Sequence, residues 1–197
     1  MDLRKDILNK YYIEVSKKEY EALLKDQWIK QWFCDASGGY VASHVLKAVD
    51  DLTRSGIVAE VNGCIALAEM GKHVLRLPEN IPDMLDKVMI DGKPYRELLK
   101  YKEGEKKPRG YPDVFFDGQT WDFKETFTDN IDTIRQLIKD GRKADIVIFM
   151  GMSNVEIKAI GVAMERELGR EKKNGTWKEL PNLYCLLDNQ LIKIWLK

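Results

Sequence analysis

The chain has 197 residues, which fits one domain or one domain with an appendage. Hydrophobic residues make up 44%, enough for a substantial core, and 32 basic residues balance 32 acidic ones. That balance excludes a global basic field as the means of holding a polyanion, so any nucleic-acid surface must be a local patch.

Residues 2–33 are charged and helical in pattern. In VSKKEYEALLKDQWIKQWF, Ser16 is an N-cap candidate, and Trp28, Trp32 and Phe33 are expected to pack along that helix. CDASGGYVASH, residues 34–44, reads as a turn-rich break. This divides the chain into a helical N-terminal segment, 1–34, and an α/β domain, 35–197. In SGIVAEVNGCIALAEMGKHVLRLPEN, Ser55 is placed to cap a helix whose apolar stripe is Ile57, Val58, Val61, Cys64, Ile65 and Ala68. Gly71 stops it, and HVLRL follows as a short strand. KVMIDGKPY suggests a strand and an Asp-Gly turn, and RELLKYKEGEKKPRG a charged loop.

DVFF, the turn DGQ and TWDFKETF carry a hairpin signature. DNIDTIRQLIKDG predicts a helix capped by Asp129 or Asn130, ADIVIFM a buried strand, and NVEIKAIGVAMERELGREK an amphipathic helix. YCLLDNQLIKIWL closes the chain as a second hairpin, with Trp195 expected in the core. The order helix, strand, hairpin, helix, strand, helix, hairpin predicts an α/β sandwich around a mixed sheet.

Cys34, Cys64 and Cys185 form neither a CxxC pair nor a zinc pattern. Cys64 and Cys185 lie in apolar runs, which favours buried thiols over a disulfide. MDLRKDILNKYY lacks the apolar core of a signal peptide, and no apolar run approaches the ~20 residues that span a bilayer. A soluble protein of a reducing compartment is expected, with no membrane partner.

YPDVFFDGQTWDFKETF concentrates the chemistry. Strand side chains alternate faces, so Trp121 and Phe123 share one face, and Asp122 and Lys124 the other. Asp113 opens the preceding strand, and the turn at Asp117-Gly118 is expected to bring the three polar groups together. Two carboxylates at one edge repel unless a cation joins them. Mg²⁺ or Mn²⁺ takes such hard oxygen ligands together with water and phosphate. Glu60, at the edge of the helical stripe, is a further ligand candidate. Acid, acid and lysine around one metal suffice for phosphodiester hydrolysis.

Pro112-Asp113, eight residues, then Asp122-Phe123-Lys124 resembles the signature of PD-(D/E)XK nucleases, the restriction-endonuclease-like family. AEVNGCIALAEMGKHVLRL resembles the helix and strand before that signature, with Glu60 at the family's helical acid. IDTIRQLIKDGRK resembles the helix after it, which makes Arg135, Gln136 and Lys139 candidates for phosphate contact. GGYVASH, the segment through LAEMGKHVLRLPE, and ADIVIF extend the likeness over roughly residues 35–150. There it resembles toxin nuclease domains of contact-dependent growth-inhibition proteins and of phage-head proteins.

The resemblance implies a metal-dependent endonuclease acting on DNA or tRNA, with Asp113, Asp122 and Glu60 as ligands and Lys124 as catalytic lysine. It also implies action in the cytoplasm after delivery within a larger protein, and an immunity protein as partner. Some of these toxin domains belong instead to a metal-independent barnase/EndoU-like group, for which His44, Lys124 and Thr126 or Thr128 are the candidates. A catalytically inactive protein-interaction module on the same scaffold is the third reading, with Trp28 and Trp32 contacting the partner.

Overall fold

A computed structural model describes residues 29–44, 47, 57–79, 81–102, 104–150 and 154–196. The Ser16 and Ser55 caps and Trp28 lie outside the described residues. The chain is mixed α/β, with a large mixed sheet and flanking helices. It divides into two compact units, Met1–Leu99 with Tyr111–Gly118, and Lys100–Gly110 with Gln119–Lys197.

The first unit holds strands β1 (Ile29–Cys34), β2 (Tyr40–His44), β3 (His73–Arg76) and β6 (Val114–Phe116), and helix α1 (Ile57–Glu69). A small hairpin, β4 (Met89–Ile90) and β5 (Lys93–Pro94), precedes the helical turn α2 (Tyr95–Leu98). β1 pairs antiparallel with β2, β2 parallel with β3, and β3 antiparallel with β6.

One expectation is corrected at the start of this unit. Residues 29–34, expected to be helical, form β1, so Trp32 and Phe33 stand on a strand rather than a helix. Within residues 34–44 lies a tight turn, around which Cys34 pairs with Tyr40. Asp35 Oδ2 accepts from Ser37 N at 2.7 Å to close that turn. Gly39 is required by space, because a Cβ there would lie 1.8 Å from the Ala68 carbonyl oxygen.

α1 forms as its stripe predicts, with Val61, Cys64, Leu67 and Ala68 buried. It ends in a Schellman motif: Lys72 N donates to Leu67 O, Gly71 N to Ala68 O, and Gly71 takes φ +78°. β3 then runs parallel to β2, which is the arrangement a helical crossover allows.

The second unit is built on β7 (Gln119–Glu125), β8 (Ile146–Met150), β9 (Asn182–Leu187) and β10 (Gln190–Trp195), with α3 (Ile131–Asp140) and α4 (Asn154–Asn174). β7–β8 and β8–β9 are parallel, and β9–β10 is an antiparallel hairpin turned by Asp188 and Asn189, both at positive φ. β8 is buried along its whole length, as an apolar run in a parallel setting should be. Ile134 and Ile138 of α3, Ala159, Ile160, Ala163 and Met164 of α4, and Val147 and Phe149 of β8 form one core cluster. Trp195 is half-buried at the edge of that cluster rather than inside it. All three cysteines are free, with Cys64 and Cys185 buried.

Candidate functional site

β7 positions the central pair. Its register places Asp122 beside Val147 and Lys124 beside Phe149, so both polar residues share the face on which α3 and α4 pack. Trp121 and Phe123 take the opposite face, where Trp121 tilts against Tyr184 at 5.4 Å. Both faces of β7 are therefore covered, and Asp122 is completely buried.

Its Oδ2 lies 2.7 Å from Lys124 Nζ and its Oδ1 2.7 Å from Lys143 Nζ. Lys143 comes from the single 3-10 turn, Gly141–Lys143, that follows α3. The backbone there passes so close that a Cβ on Gly141 would stand 2.2 Å from Val147 Cγ2 and 3.7 Å from Asp122 Oδ2. The negative end of the α3 dipole points at this region, which disfavours a lone carboxylate. The two ammonium groups offset that and keep the charge bearable in a buried place.

In the first unit Glu60 projects from α1 into a buried ionic group. Arg76 reaches Glu60 Oε1 with Nε and Nη2, each at 3.1 Å. Lys47 Nζ lies 3.2 Å from Glu60 Oε1 and 3.1 Å from Glu79 Oε1, with no exposure of its own. Glu60 is thus buried and ion-paired rather than solvated. Asp113 is also buried, and its carbonyl accepts from Leu77 N at 2.9 Å, holding the residue that opens β6. Burial pushes the Cys64 thiol far up, while Arg76, Glu60, Lys47 and Asp113 act on it with opposing signs. Cys64 is an inert packing thiol.

The donors that the sequence offered for a divalent cation are carboxylates, the right chemistry for Mg²⁺ or Mn²⁺. In this structure cations of the chain itself meet two of them: Lys124 and Lys143 at Asp122, Arg76 and Lys47 at Glu60. Among the described residues, no three His, Cys, Asp or Glu side chains are grouped to hold a metal.

The helix residues named for phosphate contact are placed differently from one another. Gln136 is exposed and donates to Asp140 Oδ1 at 2.8 Å, one turn along α3. Arg135 turns to Asp132 at 2.9 Å and to the buried Glu167 of α4 at 3.3 Å, so its charge is engaged within the unit. Lys139 is half-buried on the same helix. Arg142 and Arg170 complete the ion network at Glu167 and Glu171. Burial would raise the Glu171 carboxyl, but Thr176, Arg142 and Arg170 outweigh it and bring the pKa to about 2.

His44 is fully buried, and that burial lowers its pKa to about 4. Thr126 is buried too, and Thr128 Oγ1 accepts from Asn130 N at 3.1 Å at the mouth of α3. Sequence reasoning missed Lys47, Arg76 and Glu79 as partners of Glu60. Nor did it give Lys143 a role beside Asp122. A buried lysine carries no mark in a chain of 32 basic residues.

Among the described residues no helix is long and apolar enough to cross a membrane. No protein-family model, curated protein or solved structure matches the chain.

Proposed function

We propose that the chain is a metal-dependent endonuclease of restriction-endonuclease-like fold, hydrolysing phosphodiester bonds of DNA or tRNA. The observation that carries this reading is Asp122, wholly buried with each oxygen 2.7 Å from a lysine Nζ. A buried ion group of this kind gains little stability over an apolar one of equal volume, because desolvation consumes most of the attraction. Its retention between two lysines fits a site that handles anionic substrate.

In this reading Asp113 and Asp122 would supply carboxylate oxygens for Mg²⁺ or Mn²⁺, with Glu60 assisting directly or through water. A cation held there would supply an acidified water and neutralise phosphoryl charge. Lys124 would position the attacking water, and Lys143, paired with Asp122, would offer positive charge to the scissile phosphate. Gln136 and nearby basic groups such as Lys139 would receive the scissile phosphate. Toxin association, cytoplasmic action and an immunity partner rest on the resemblance of PDVFFDGQTWDFK and its flanks to toxin nucleases.

The test supplies Mg²⁺ or Mn²⁺ with duplex DNA and, separately, with tRNA. Cleavage is expected for at least one, abolished by EDTA and reduced on the order of 10³-fold in Asp122→Ala and Lys124→Ala. Circular dichroism must show both variants folded. Failure to cut either substrate, or unimpaired cutting by folded Asp122→Ala, removes the proposal. Cleavage that survives EDTA and is lost in His44→Ala indicates the metal-independent ribonuclease.

A further inference from the structure

KYKEGEKKPRG, residues 100–110, forms a closed loop within the second unit. Tyr101 bridges to Pro108, Arg109 N donates to Lys100 O at 2.7 Å, and Glu105 N donates to Lys102 O at 3.0 Å. The two ends of the segment are thereby held side by side, and residues 102–107 form its tip.

Both ends reach the surroundings of Asp122, by separate routes. At the first, Lys100 pairs with Asp145. Asp145 Oδ2 in turn accepts from Thr120 N at 3.0 Å and from Thr120 Oγ1 at 2.8 Å. Thr120 stands two residues before Asp122 on β7 and so shares its face. At the other end, Gly110 lies against the stem of Lys143. A Cβ on Gly110 would stand 3.1 Å from Lys143 Cδ and 3.4 Å from Lys143 Cβ, and Gly110 takes φ +154°. Lys143 is the lysine whose Nζ lies 2.7 Å from Asp122 Oδ1. Arg109 fixes this end through Glu179 at 2.6 Å.

Charge is distributed unevenly over the loop. Residues 100–109 hold five basic side chains and two acids. Lys100 and Arg109 are matched at the ends by Asp145 and Glu179, and Lys102 by Glu105 at 3.3 Å. Lys106 and Lys107 are adjacent and exposed at the tip, and meet no acid among the described residues. The ends are therefore neutralised and anchored, while the tip presents positive charge to solvent. In a chain whose basic and acidic residues balance, this is the local patch that a polyanion requires.

We infer that this loop is a backbone clamp for the substrate of the Asp122 site, an inference that rests on the nuclease reading and adds to it an element outside the acid–lysine group. Lys106 and Lys107 bind nucleic-acid phosphates beside the scissile one. Lys107 is three residues from Gly110, so the chain between them spans about 10 Å at most. One DNA strand carries a phosphate about every 3.4 Å along the axis, which places the clamped phosphates a few nucleotides from the cut. Contacts of this kind set position and orientation and read no base sequence.

Fluorescence anisotropy of the full chain in EDTA, with a short labelled DNA duplex and separately with labelled tRNA, tests the clamp without requiring cleavage. Lys106→Gln/Lys107→Gln removes the two tip charges. Lys158→Gln/Lys193→Gln removes two others, exposed on α4 and β10, and controls for overall charge. All four side chains are exposed, so melting temperatures should not change. Wild type is expected to bind at least one probe with an affinity that falls as salt rises. The loop variant is expected to bind it about ten-fold more weakly, with a slope of log affinity against log salt shallower by about 2 on duplex DNA. The control should bind as wild type does. No salt-dependent binding by wild type, an undiminished loop variant, or equal weakening in the control overturns the clamp. Adding Mg²⁺ or Mn²⁺ separates this claim from the nuclease reading. Where the chain cuts, the loop variant should raise KM and leave kcat unchanged, because the tip lies away from the reacting bond. Loss of kcat at unchanged KM would overturn the clamp. Tip-dependent binding by a chain that cuts nothing keeps the clamp as a nucleic-acid contact and removes the nuclease reading. Cleavage with undiminished binding by the loop variant does the reverse.

Discussion

Asp122 is the residue at which packing and charge meet, and Gly141 is what lets them meet. A methyl group at position 141 would stand 2.2 Å from Val147 Cγ2, so the valine side chain, β8 or the 3-10 turn would have to shift. Gly141→Ala is therefore expected to cost about 1–3 kcal/mol, the range for overpacking a tight interior. The turn that carries Lys143 would shift with it. Urea unfolding of Gly141→Ala, Val147→Ala and the double variant separates the causes. If steric conflict is the source, the double variant will be more stable than the sum of the single losses. Strict additivity would refute the packing argument. Half of this residue-level picture was legible in the sequence. Period-two alternation put Asp122 and Lys124 on one face, as found. Lys143 was not legible as their partner, because its approach depends on where α3 ends and on the missing side chain at 141, neither of which periodicity records.

The elements from α1 onward follow the sequence order closely, and the reasons are local. Three turns carry an Asp at positive φ: Asp91-Gly92, Asp117-Gly118 and Asp188-Asn189. The short side chain of Asp tolerates the left-handed region, so these pairs punctuate strands visibly. α3 is similarly explicit, since Asn130 Oδ1 accepts from Asp132 N at 3.0 Å and Thr133 N at 3.1 Å. Removing that acceptor leaves two orphan donors at the helix start, so Asn130→Ala should lose about 1 kcal/mol, and Asn130→Asp should lose little. Equal stability of wild type and Asn130→Ala in urea would show that the cap is replaceable by water. β1 failed to show itself for the opposite reason. IKQWFC has no clean alternation and continues a charged helical pattern, and only pairing with Tyr40–His44 makes it a strand. Tertiary pairing overrode propensity there.

At the scale of the molecule, the two units keep buried ionisable groups that respond to acid in different pH ranges. In the first unit His44 is buried with its pKa lowered to about 4, against 6.5 when exposed. Between those values the unfolded form binds a proton that the folded form refuses, so the stability present above pH 6.5 is lost as pH falls toward 4. From pH 7 to pH 5 that loss amounts to about 2 kcal/mol as an upper bound. In the second unit Glu171 has its pKa lowered from 4.5 to about 2. Its contribution is fully present above 4.5 and declines only as pH falls below that, so pH 5 leaves it nearly intact. Native-state hydrogen exchange resolves the difference, because it reads opening free energies amide by amide. Amides of β2 and α1 are expected to lose up to about 2 kcal/mol of opening free energy between pH 7 and pH 5, after correction for intrinsic exchange. Those of β8 and α4 should change by a few tenths at most. Equal losses in both sets would mean that a group other than His44 governs the acid response. The absence of any loss in β2 and α1 would mean that His44 accepts its proton without leaving the core.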